Sequence, residues 1–368
     1  MSKIEERKPL TTPYVYIDLD KVEKNIKNMT ERLANAGIAH RPHIKTHKSI
    51  ELAKKQIEMG SVGITVAKLA EAEVMNEAGI NDIFIAYPIV GEQNLLRLKA
   101  LCSSSQIRTI VDSYTIASGI SSVGESLNKK IEVLIEIDGG SHRGGVQPGE
   151  ATLDFAKSIA DLPGIKIVGL FVYSGQVYGE KDHSGIKKKS QEEAEILINT
   201  QQLLNQNGFD IQITSGGSTP SSFFASDLEG ITESRAGNYI FCDMNAVHLG
   251  VADMNECALK ICSTVVSTPL PGYATIDAGS KTITSDLSVK GDTYGTIYGK
   301  EGVKLVKLNE EHGYLRFDPS VYQFKVGDVV EIIPNHSCVV PNLNDKIYAF
   351  RNGTFEREIR IDARGANY

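Results

Sequence analysis

The sequence predicts an α/β fold in which a (β/α)8 TIM-like barrel is followed by a C-terminal all-β domain. From about residue 39 to residue 251, short β-branched segments alternate with amphipathic helices, which is the repeat of such a barrel. After about residue 252, strand-like segments are separated by Gly, Pro and Asn without a clear amphipathic helix, which is typical of a β domain. A doubly wound sheet shows the same local alternation and is the alternative on pattern alone.

The predicted domains are residues 1–251 and 252–368. The first strand, TPYVYIDLD at 12–20, belongs to the barrel region or alternatively joins the β domain. The helix after it has an apolar stripe at helical spacing, formed by Val22, Ile26, Met29 and Leu33. The eight barrel strands are predicted at 39–44, 63–66, 82–87, 108–111, 131–137, 165–172, 210–214 and 239–242. The helices between them are predicted at 49–59, 68–79, 91–102, 114–123, 150–161, 187–206 and 221–228.

Composition excludes several functional classes. The chain has 368 residues and a net charge of −7, which disfavours nucleic acid as a partner. No apolar run reaches the roughly 18 residues that a membrane span needs, and the N-terminus lacks a signal peptide's apolar core. The five cysteines are scattered and odd in number, which indicates a reducing, cytoplasmic setting.

The stretch HRPHIKTHKS at 40–49 concentrates cationic and titratable groups in this acidic chain. Lys45 comes directly after a predicted barrel strand, and the carboxyl ends of barrel strands form the catalytic face. Nearby cations such as Arg41 and Lys48, together with partial burial, favour the uncharged amine, which is a nucleophile toward carbonyl groups. On these residues alone, a solvated basic loop or a generic phosphate-binding patch is an alternative.

Two donor-rich turns lie at the seventh and eighth predicted barrel strands. TSGGSTP at 214–220 combines glycines, which let backbone N–H groups approach an anion, with side-chain hydroxyls. Those hydroxyls belong to Ser215, Ser218 and Thr219. RAGNY at 235–239 then supplies Gly237, Asn238 and Tyr239. Barrels commonly place a phosphate beside the seventh and eighth strands, so the pair indicates a phosphate site, although each turn alone is equally an ordinary strand-to-helix connection.

EIDGGSHRGG at 136–145 runs from a strand into glycines and delivers His142 and Arg143 at the same rim. Arg143 can pair with a carboxylate or a phenolate oxygen in a geometry that lysine cannot copy. The alternative is a surface arginine on a turn.

PNHSC at 334–338 places His336 and Cys338 two residues apart, so on a strand they would point to the same face. An imidazole and a thiolate suit zinc better than magnesium or calcium, and two ligands make an open site. The alternative is a buried cysteine beside a hydrogen-bonded histidine.

Together these segments resemble the fold-type III pyridoxal-phosphate enzymes with an alanine racemase-like N-terminal barrel. Within them, the chain is most similar to the branch of the D-threonine aldolases and D-serine dehydratases, because RPHIKTHK matches the motif around their cofactor lysine. Further landmarks follow in family order: VAKLAEAE (66–73), EIDGGSHRGGV (136–146), SGGSTP (215–220), RAGNY (235–239), DAGSKTITSD (277–286) and PNHSC (334–338). They span most of the chain.

The resemblance implies pyridoxal 5'-phosphate and a divalent metal, with zinc favoured over manganese or magnesium. Lys45 would hold the cofactor covalently, and Arg143 would lie near its ring or its O3′ oxygen. The phosphate would be held by Gly217, Ser218, Thr219, Gly237, Asn238 and Tyr239, with Ser215 as a further donor. His336 and Cys338 would bind the metal close to the substrate's β-hydroxyl. The family also implies a small D-amino acid substrate and a homodimer.

The implied reaction is a lyase reaction with two possible routes. Retro-aldol cleavage of Cα–Cβ gives glycine and an aldehyde, and His47 and His142 are candidates to take the hydroxyl proton. Loss of the β-hydroxyl gives an oxo acid and ammonia, and Lys45 is the natural base for the Cα proton.

One feature separates the two subfamilies, and a second distinguishes this chain from both. The family's aldolases carry His and Asp two apart as metal ligands, whereas His336 and Cys338 match the dehydratases. Both subfamilies place a histidine in the loop that corresponds to YSGQVYG at 173–179, where this chain has none. Chains of this length are more often aldolases, so we expect D-threonine aldolase activity, with D-serine or D-3-hydroxyaspartate dehydratase activity as the alternative. An amino-acid racemase and a non-catalytic cofactor-binding protein are further alternatives.

Overall fold

The structure is a computed structural model that describes residues 10–173, 175–289, 291 and 293–368. The chain divides into two compact units. The β unit comprises the described residues of Met1–Lys27, with Thr46–Glu51 and Asn238–Arg364. The barrel unit comprises Asn28–Lys45, Leu52–Gly237 and Gly365–Tyr368.

The first elements are strand β1 (Tyr14–Asp18) and helix α1 (Leu19–Asn35). The barrel strands are β2 (Ala39–His40), β3 (Ile64–Val66), β4 (Asp82–Ile85), β5 (Gln106–Val111), β6 (Ile131–Ile137), β7 (Ile165–Val172), β8 (Ile213–Gly216) and β9 (Glu233–Ser234). The helices between them are α2 (Ile50–Glu58), α3 (Leu69–Glu77), α4 (Glu92–Ser104), α5 (Tyr114–Ser126), α6 (Glu150–Ile159), α7 (His183–Gln206) and α8 (Thr219–Ser222). A strand that alternates with a helix at every step confirms the predicted barrel fold.

In the described part of the chain, the barrel strands form an eight-stranded parallel sheet in the order β2-β9-β8-β7-β6-β5-β4-β3. A parallel bridge between His43 and Thr65 joins the ends of the two edge strands. The interior is filled by large apolar side chains from successive strands, among them Phe84, Leu134 and Phe171. Parallel strands put all the connections to following helices at one edge of the sheet, and this edge positions the site.

The eighth barrel strand differs from the prediction. The sequence predicted it at 239–242, whereas the strand is β9, and Asn238–Ile240 form a 3-10 turn. The Asn238 carbonyl accepts hydrogen bonds from the N–H groups of Phe241 and Cys242, and these local bonds replace strand pairing. The predicted helix at 221–228 is also shorter: α8 ends at Ser222, and a separate 3-10 turn follows.

The apolar stripe of α1 confirms the helical period. Its four members, Val22, Ile26, Met29 and Leu33, are all at most 3% exposed. Burying four large apolar side chains on one face stabilises the helix against its neighbours by several kcal/mol, at about 1.5–3 kcal/mol for each.

The remaining elements belong to the β unit. They are helix α9 (Met244–His248) and strands β10 (Leu259–Ser267), β11 (Tyr273–Ile276), β12 (Gly295–Ile297), β13 (Lys304–Leu308), β14 (Gly313–Arg316), β15 (Val329–Pro334), β16 (Lys346–Arg351) and β17 (Thr354–Arg360). With β1 they form a mixed sheet in the order β11-β14-β13-β12-β15-β10-β1-β16-β17. The first strand of the chain therefore pairs in this sheet, antiparallel to β10 and parallel to β16. Among the described helices, none is long and apolar enough to cross a membrane.

Candidate active site

Lys45 lies in the short 3-10 turn Ile44–Thr46, just after β2. Its neighbour Ile44 is fully buried, whereas Lys45 itself is exposed. Because the barrel strands are parallel, a residue that follows β2 lies at the carboxyl edge of the sheet. The Lys45 amine is therefore presented on the edge where barrels carry out chemistry.

Arg41 does not have the role that the sequence suggested. Its guanidinium is buried, with Nε 2.7 Å from Glu233 Oε2 and Nη1 2.7 Å from Asp82 Oδ1. Two carboxylates offset its single charge, so Arg41 links the strands of the barrel wall rather than acting as a cation toward Lys45. The expected partial burial of Lys45 is wrong as well, since its side chain is exposed.

The glycine-rich turn joins β8 to α8. Gly217 has a φ of +76°, and a Cβ there would lie 2.6 Å from Ser234 Oγ, so the position requires glycine. The Gly217 N–H donates to Glu193 Oε1 at 2.8 Å. Ser218 caps α8, since its N–H donates to Ser221 Oγ at 2.7 Å and its Oγ accepts from the Ser221 N–H at 3.4 Å. The turn is therefore held in shape by the protein's own hydrogen bonds.

Two other residues of this turn have different surroundings. Ser215 is buried, and its hydroxyl donates to Glu233 Oε1 at 2.8 Å and accepts from Arg235 Nη1 at 2.7 Å. These bonds hold the hydroxyl between Glu233 and Arg235, and its role as a phosphate donor stays a prediction. Thr219 is buried at the first position of α8. Behind the turn, burial raises the pKa of Glu193 to about 7.

Gly237 follows β9 and packs against the strand end that carries Lys45. A Cβ on Gly237 would lie 2.5 Å from the carbonyl oxygen of His43, so the backbones approach closely. Asn238 and Tyr239 come next along the chain and are buried. Because β2, β9 and β8 are consecutive in the sheet, the segments that follow them lie side by side at one edge.

Arg143 lies beyond β6 and is 55% exposed. Its guanidinium carbon is 4.2 Å from the centroid of the Tyr173 ring, and its Nη2 is 3.8 Å from Glu136 Oε1. Burial raises the pKa of Glu136, although the charge of Arg143 opposes the shift. Stacking orients the guanidinium while leaving donors open to a ligand.

The two histidines proposed for proton transfer have different surroundings. His142 is 80% exposed, and its Nδ1 lies 2.6 Å from Asp138 Oδ2, so the carboxylate orients the ring. His47 is fully buried, and its Nδ1 accepts a hydrogen bond from the Ser49 N–H at 3.1 Å. The geometry therefore favours His142 as the accessible base.

The loop after β7 contains the 3-10 turn Gly175–Gly179. Ser174 in the segment YSGQVYG lies outside the described residues. Gln176 Nε2 donates to the Gly139 carbonyl, so this turn is attached to the loop that carries His142 and Arg143.

His336 and Cys338 follow β15 in a turn, and not on a strand as predicted. The two side chains still interact, because the turn folds back. The nearby Cys338 and the carboxylate of Asp243 raise the pKa of His336 to about 11 against the effect of burial. Cys338 Sγ also lies 3.1 Å from Thr46 Oγ1. The described residues contain no group of three or more His, Cys, Asp or Glu side chains that could hold a metal.

Sequence reasoning missed Asp243, whose Oδ2 lies 3.2 Å from His336 Nδ1. An aspartate before a short helix is readable as an N-cap. Nothing in the spacing links it to a histidine that lies 93 residues further along the chain.

Comparison with known proteins gives two family matches that follow each other along the chain. The alanine racemase N-terminal domain matches residues 17–245, and the serine dehydratase domain matches residues 258–350. Among curated relatives, a D-threonine aldolase from Arthrobacter sp. is 32% identical over 96% of this chain and 93% of its own length. A D-threo-3-hydroxyaspartate dehydratase from Delftia sp. (strain HT23) is also 32% identical, over 89% of this chain and 91% of its own.

Solved structures agree. The D-threonine aldolase from Filomicrobium marinum has a TM-score of 0.90 at 27% identity and covers 98% of this chain and 97% of its own. A D-threo-3-hydroxyaspartate dehydratase, solved as a Cys-to-Ala variant in the metal-free form, has a TM-score of 0.88 at 30% identity, over 96% and 98% of the two chains. The protein is an enzyme of the lyase class and belongs to the fold-type III, pyridoxal-phosphate-dependent family that contains the D-threonine aldolases and D-serine dehydratases.

Proposed function

We propose that the protein is a metal-assisted lyase for D-3-hydroxy amino acids that cleaves D-threonine into glycine and acetaldehyde. The observation that carries the proposal is the common edge of β2, β9 and β8. Lys45 follows the first of these strands, and the two donor-rich turns follow the other two. A reactive amine and a phosphate site at one edge are what a covalently held, phosphate-bearing cofactor requires.

The residues of this edge fit pyridoxal phosphate. Gly217 and Gly237 each approach a neighbouring segment of the chain more closely than a Cβ would allow, which packs the two turns tightly against this edge. In the proposal Lys45 holds the cofactor, and Ser218, Thr219, Asn238 and Tyr239 contribute further donors to its phosphate. Arg143, stacked on an aromatic ring, meets an anionic oxygen of the cofactor. When bound, pyridoxal phosphate supplies an electron sink for charge that develops at the substrate Cα.

The turn after β15 fits a divalent metal, with zinc favoured over manganese or magnesium. A histidine nitrogen and a cysteine sulfur are a zinc donor set, and the negative surroundings that raise the pKa of His336 also attract a cation. A related dehydratase has been solved as a Cys-to-Ala variant in the metal-free form, which supports a metal site in this family. When bound, the metal supplies a Lewis acid for a substrate hydroxyl.

His142 supports the aldolase route. Retro-aldol cleavage requires removal of the β-hydroxyl proton, and His142 has an exposed ring whose Nδ1 is held by Asp138. With Nδ1 protonated, the other ring nitrogen is the proton acceptor. Asp138→Asn should lower kcat for D-threonine by about 10² to 10⁴ with an unchanged cofactor spectrum. An unchanged kcat would remove His142 from the proposal.

Dehydration is the second candidate, because Cys338 stands where the family's aldolases carry aspartate. In that route the freed Lys45 amine takes the Cα proton, and the β-hydroxyl leaves. A racemase requires a second base, normally a tyrosine of the β unit, where Tyr273, Tyr294 and Tyr298 lie. Racemisation has less support, because Tyr273 OH accepts from Arg316 Nε at 2.9 Å and the Tyr298 ring lies under the Lys260 ammonium.

One assay tests the proposal. Protein loaded with pyridoxal phosphate and zinc or manganese is incubated with D-threonine, D-serine or D-threo-3-hydroxyaspartate, and L-threonine is the stereochemical control. Glycine with acetaldehyde from D-threonine is the expected result. An oxo acid with ammonia, and no glycine, would establish the dehydratase instead. Racemised substrate without lyase products, or no reaction, would overturn both.

A further inference from the structure

Asp243 carries more hydrogen bonds than its position as a helix cap requires. The side chain is fully buried, and its Oδ1 accepts from the N–H of Ala246, which caps α9. The second oxygen, Oδ2, accepts from Ser337 N at 2.9 Å and from Asn238 Nδ2 at 2.5 Å, and lies 3.2 Å from His336 Nδ1. All these residues belong to the β unit.

The contact with His336 decides which ring nitrogen carries the proton. A carboxylate oxygen that faces Nδ1 is an acceptor, so Nδ1 is the donor and Nε2 keeps its lone pair in the neutral ring. A metal binds the unprotonated nitrogen, and a carboxylate behind a ligating histidine fixes both its tautomer and the direction of its ring.

Asp243 also holds the residue between the two candidate ligands. The Ser337 N–H donates to Asp243, and the Ser337 hydroxyl donates to Asn238 Oδ1. Asn238 in turn donates its amide to the same carboxylate oxygen. This closed set of hydrogen bonds fixes the backbone from which His336 and Cys338 both project.

We propose that Asp243 is a positioning residue that prepares His336 and Cys338 to bind a divalent metal ion. The inference rests on the metal site of the proposed function. A merely structural cap would use one oxygen, whereas here the second oxygen is directed at the candidate ligand and at its neighbour in the chain. Loss of such a carboxylate weakens metal binding by about 10- to 100-fold in metal sites generally.

The first test measures metal affinity and needs no substrate. Zn²⁺ dissociation constants are determined by competition with a chromophoric chelator for the wild type, Asp243→Ser and Asp253→Ser. Serine can still cap a helix but is too short to reach His336. Asp253 caps the neighbouring turn Met254–Glu256, where its Oδ1 accepts from the Asn255 N–H at 2.8 Å, so it is the matched control. The expected result is a 10- to 100-fold weaker affinity for Asp243→Ser and an unchanged affinity for Asp253→Ser.

The second test uses the wild type, so it stands even where Asp243→Ser does not fold. In ¹⁵N-histidine NMR spectra of the zinc-loaded protein, with His336 assigned from His336→Gln, we expect a protonated Nδ1 and a metal-bound Nε2. A metal-bound Nδ1, or a folded Asp243→Ser protein with wild-type affinity, would overturn the inference. If the wild type binds no metal, or if His336→Gln and Cys338→Ser leave the affinity unchanged, the metal site of the proposed function fails instead.

Discussion

Replacing Gly217 by alanine should lower both the stability of the fold and its affinity for the cofactor. The φ of +76° costs an alanine about 1–2 kcal/mol. The added Cβ would also lie 2.6 Å from Ser234 Oγ, where ordinary contact begins at 3.4 Å, so the turn must move by close to 1 Å. Overpacking of this kind costs about a further 1–3 kcal/mol. A displaced turn no longer directs its donors at a phosphate, and we expect cofactor affinity to fall at least about tenfold, or about 1.4 kcal/mol.

Gly208 provides the matched control, because its φ is +88° and a Cβ there would meet nothing within 4 Å. Gly208→Ala should lower the free energy of unfolding only by the backbone conformational cost, about 1–2 kcal/mol, and should bind the cofactor as the wild type does. The assays are urea unfolding for stability and absorbance titration with pyridoxal phosphate for affinity. If Gly217→Ala and Gly208→Ala bind the cofactor equally well, the turn does not hold the phosphate.

Three further predictions concern the core and the metal. Arg41→Ala should lower the free energy of unfolding in urea by up to about 3–5 kcal/mol, because it leaves buried Glu233 with only Arg108, 3.7 Å away, as an ion-pair partner. Arg360 is 87% exposed, so Arg360→Ala should change stability by less than about 0.5 kcal/mol. Equal losses in the two variants would refute the buried pair. Burial raises the pKa of Glu193 from 4.5 to about 7, so the free energy of unfolding should fall by up to about 3 kcal/mol as pH rises through this window. Glu193→Gln should flatten this fall, and parallel pH profiles for the wild type and the variant would contradict the raised pKa. Chelation and His336→Ala should each abolish lyase activity but keep the cofactor absorbance. Added zinc should restore activity to the chelated wild type but not to His336→Ala. Activity that resists chelation would exclude a role for the metal.

The sequence predicted the elements whose signal is local. The helical period of α1 and the strand-helix alternation from β2 to β8 depend on which residues of each segment are buried. The spacing of apolar residues in the sequence shows this directly. The predicted strand at 239–242 is wrong because its apolar residues are buried in a turn, and burial alone does not distinguish a strand from a tightly hydrogen-bonded turn.

Site residues that belong to a local sequence motif were predictable. Residues whose role depends on partners far away in the sequence were not. Lys45 was placed correctly after a strand, but Arg41 beside it is neutralised by Glu233, which lies 192 residues away in sequence. Asp243 was missed for the same reason. Pairing of charges across strands depends on the three-dimensional arrangement, and no local spacing records it.

Chemical labelling can identify the lysine that carries the cofactor. Purified protein is loaded with pyridoxal phosphate, reduced with borohydride, digested and mapped by mass spectrometry, with Lys48→Arg as the neighbouring-lysine control. We expect a pyridoxyl group on Lys45 in the wild type and in Lys48→Arg, and none in Lys45→Ala. A label on another lysine, or a Lys45→Ala protein that keeps the same visible absorbance, would contradict it.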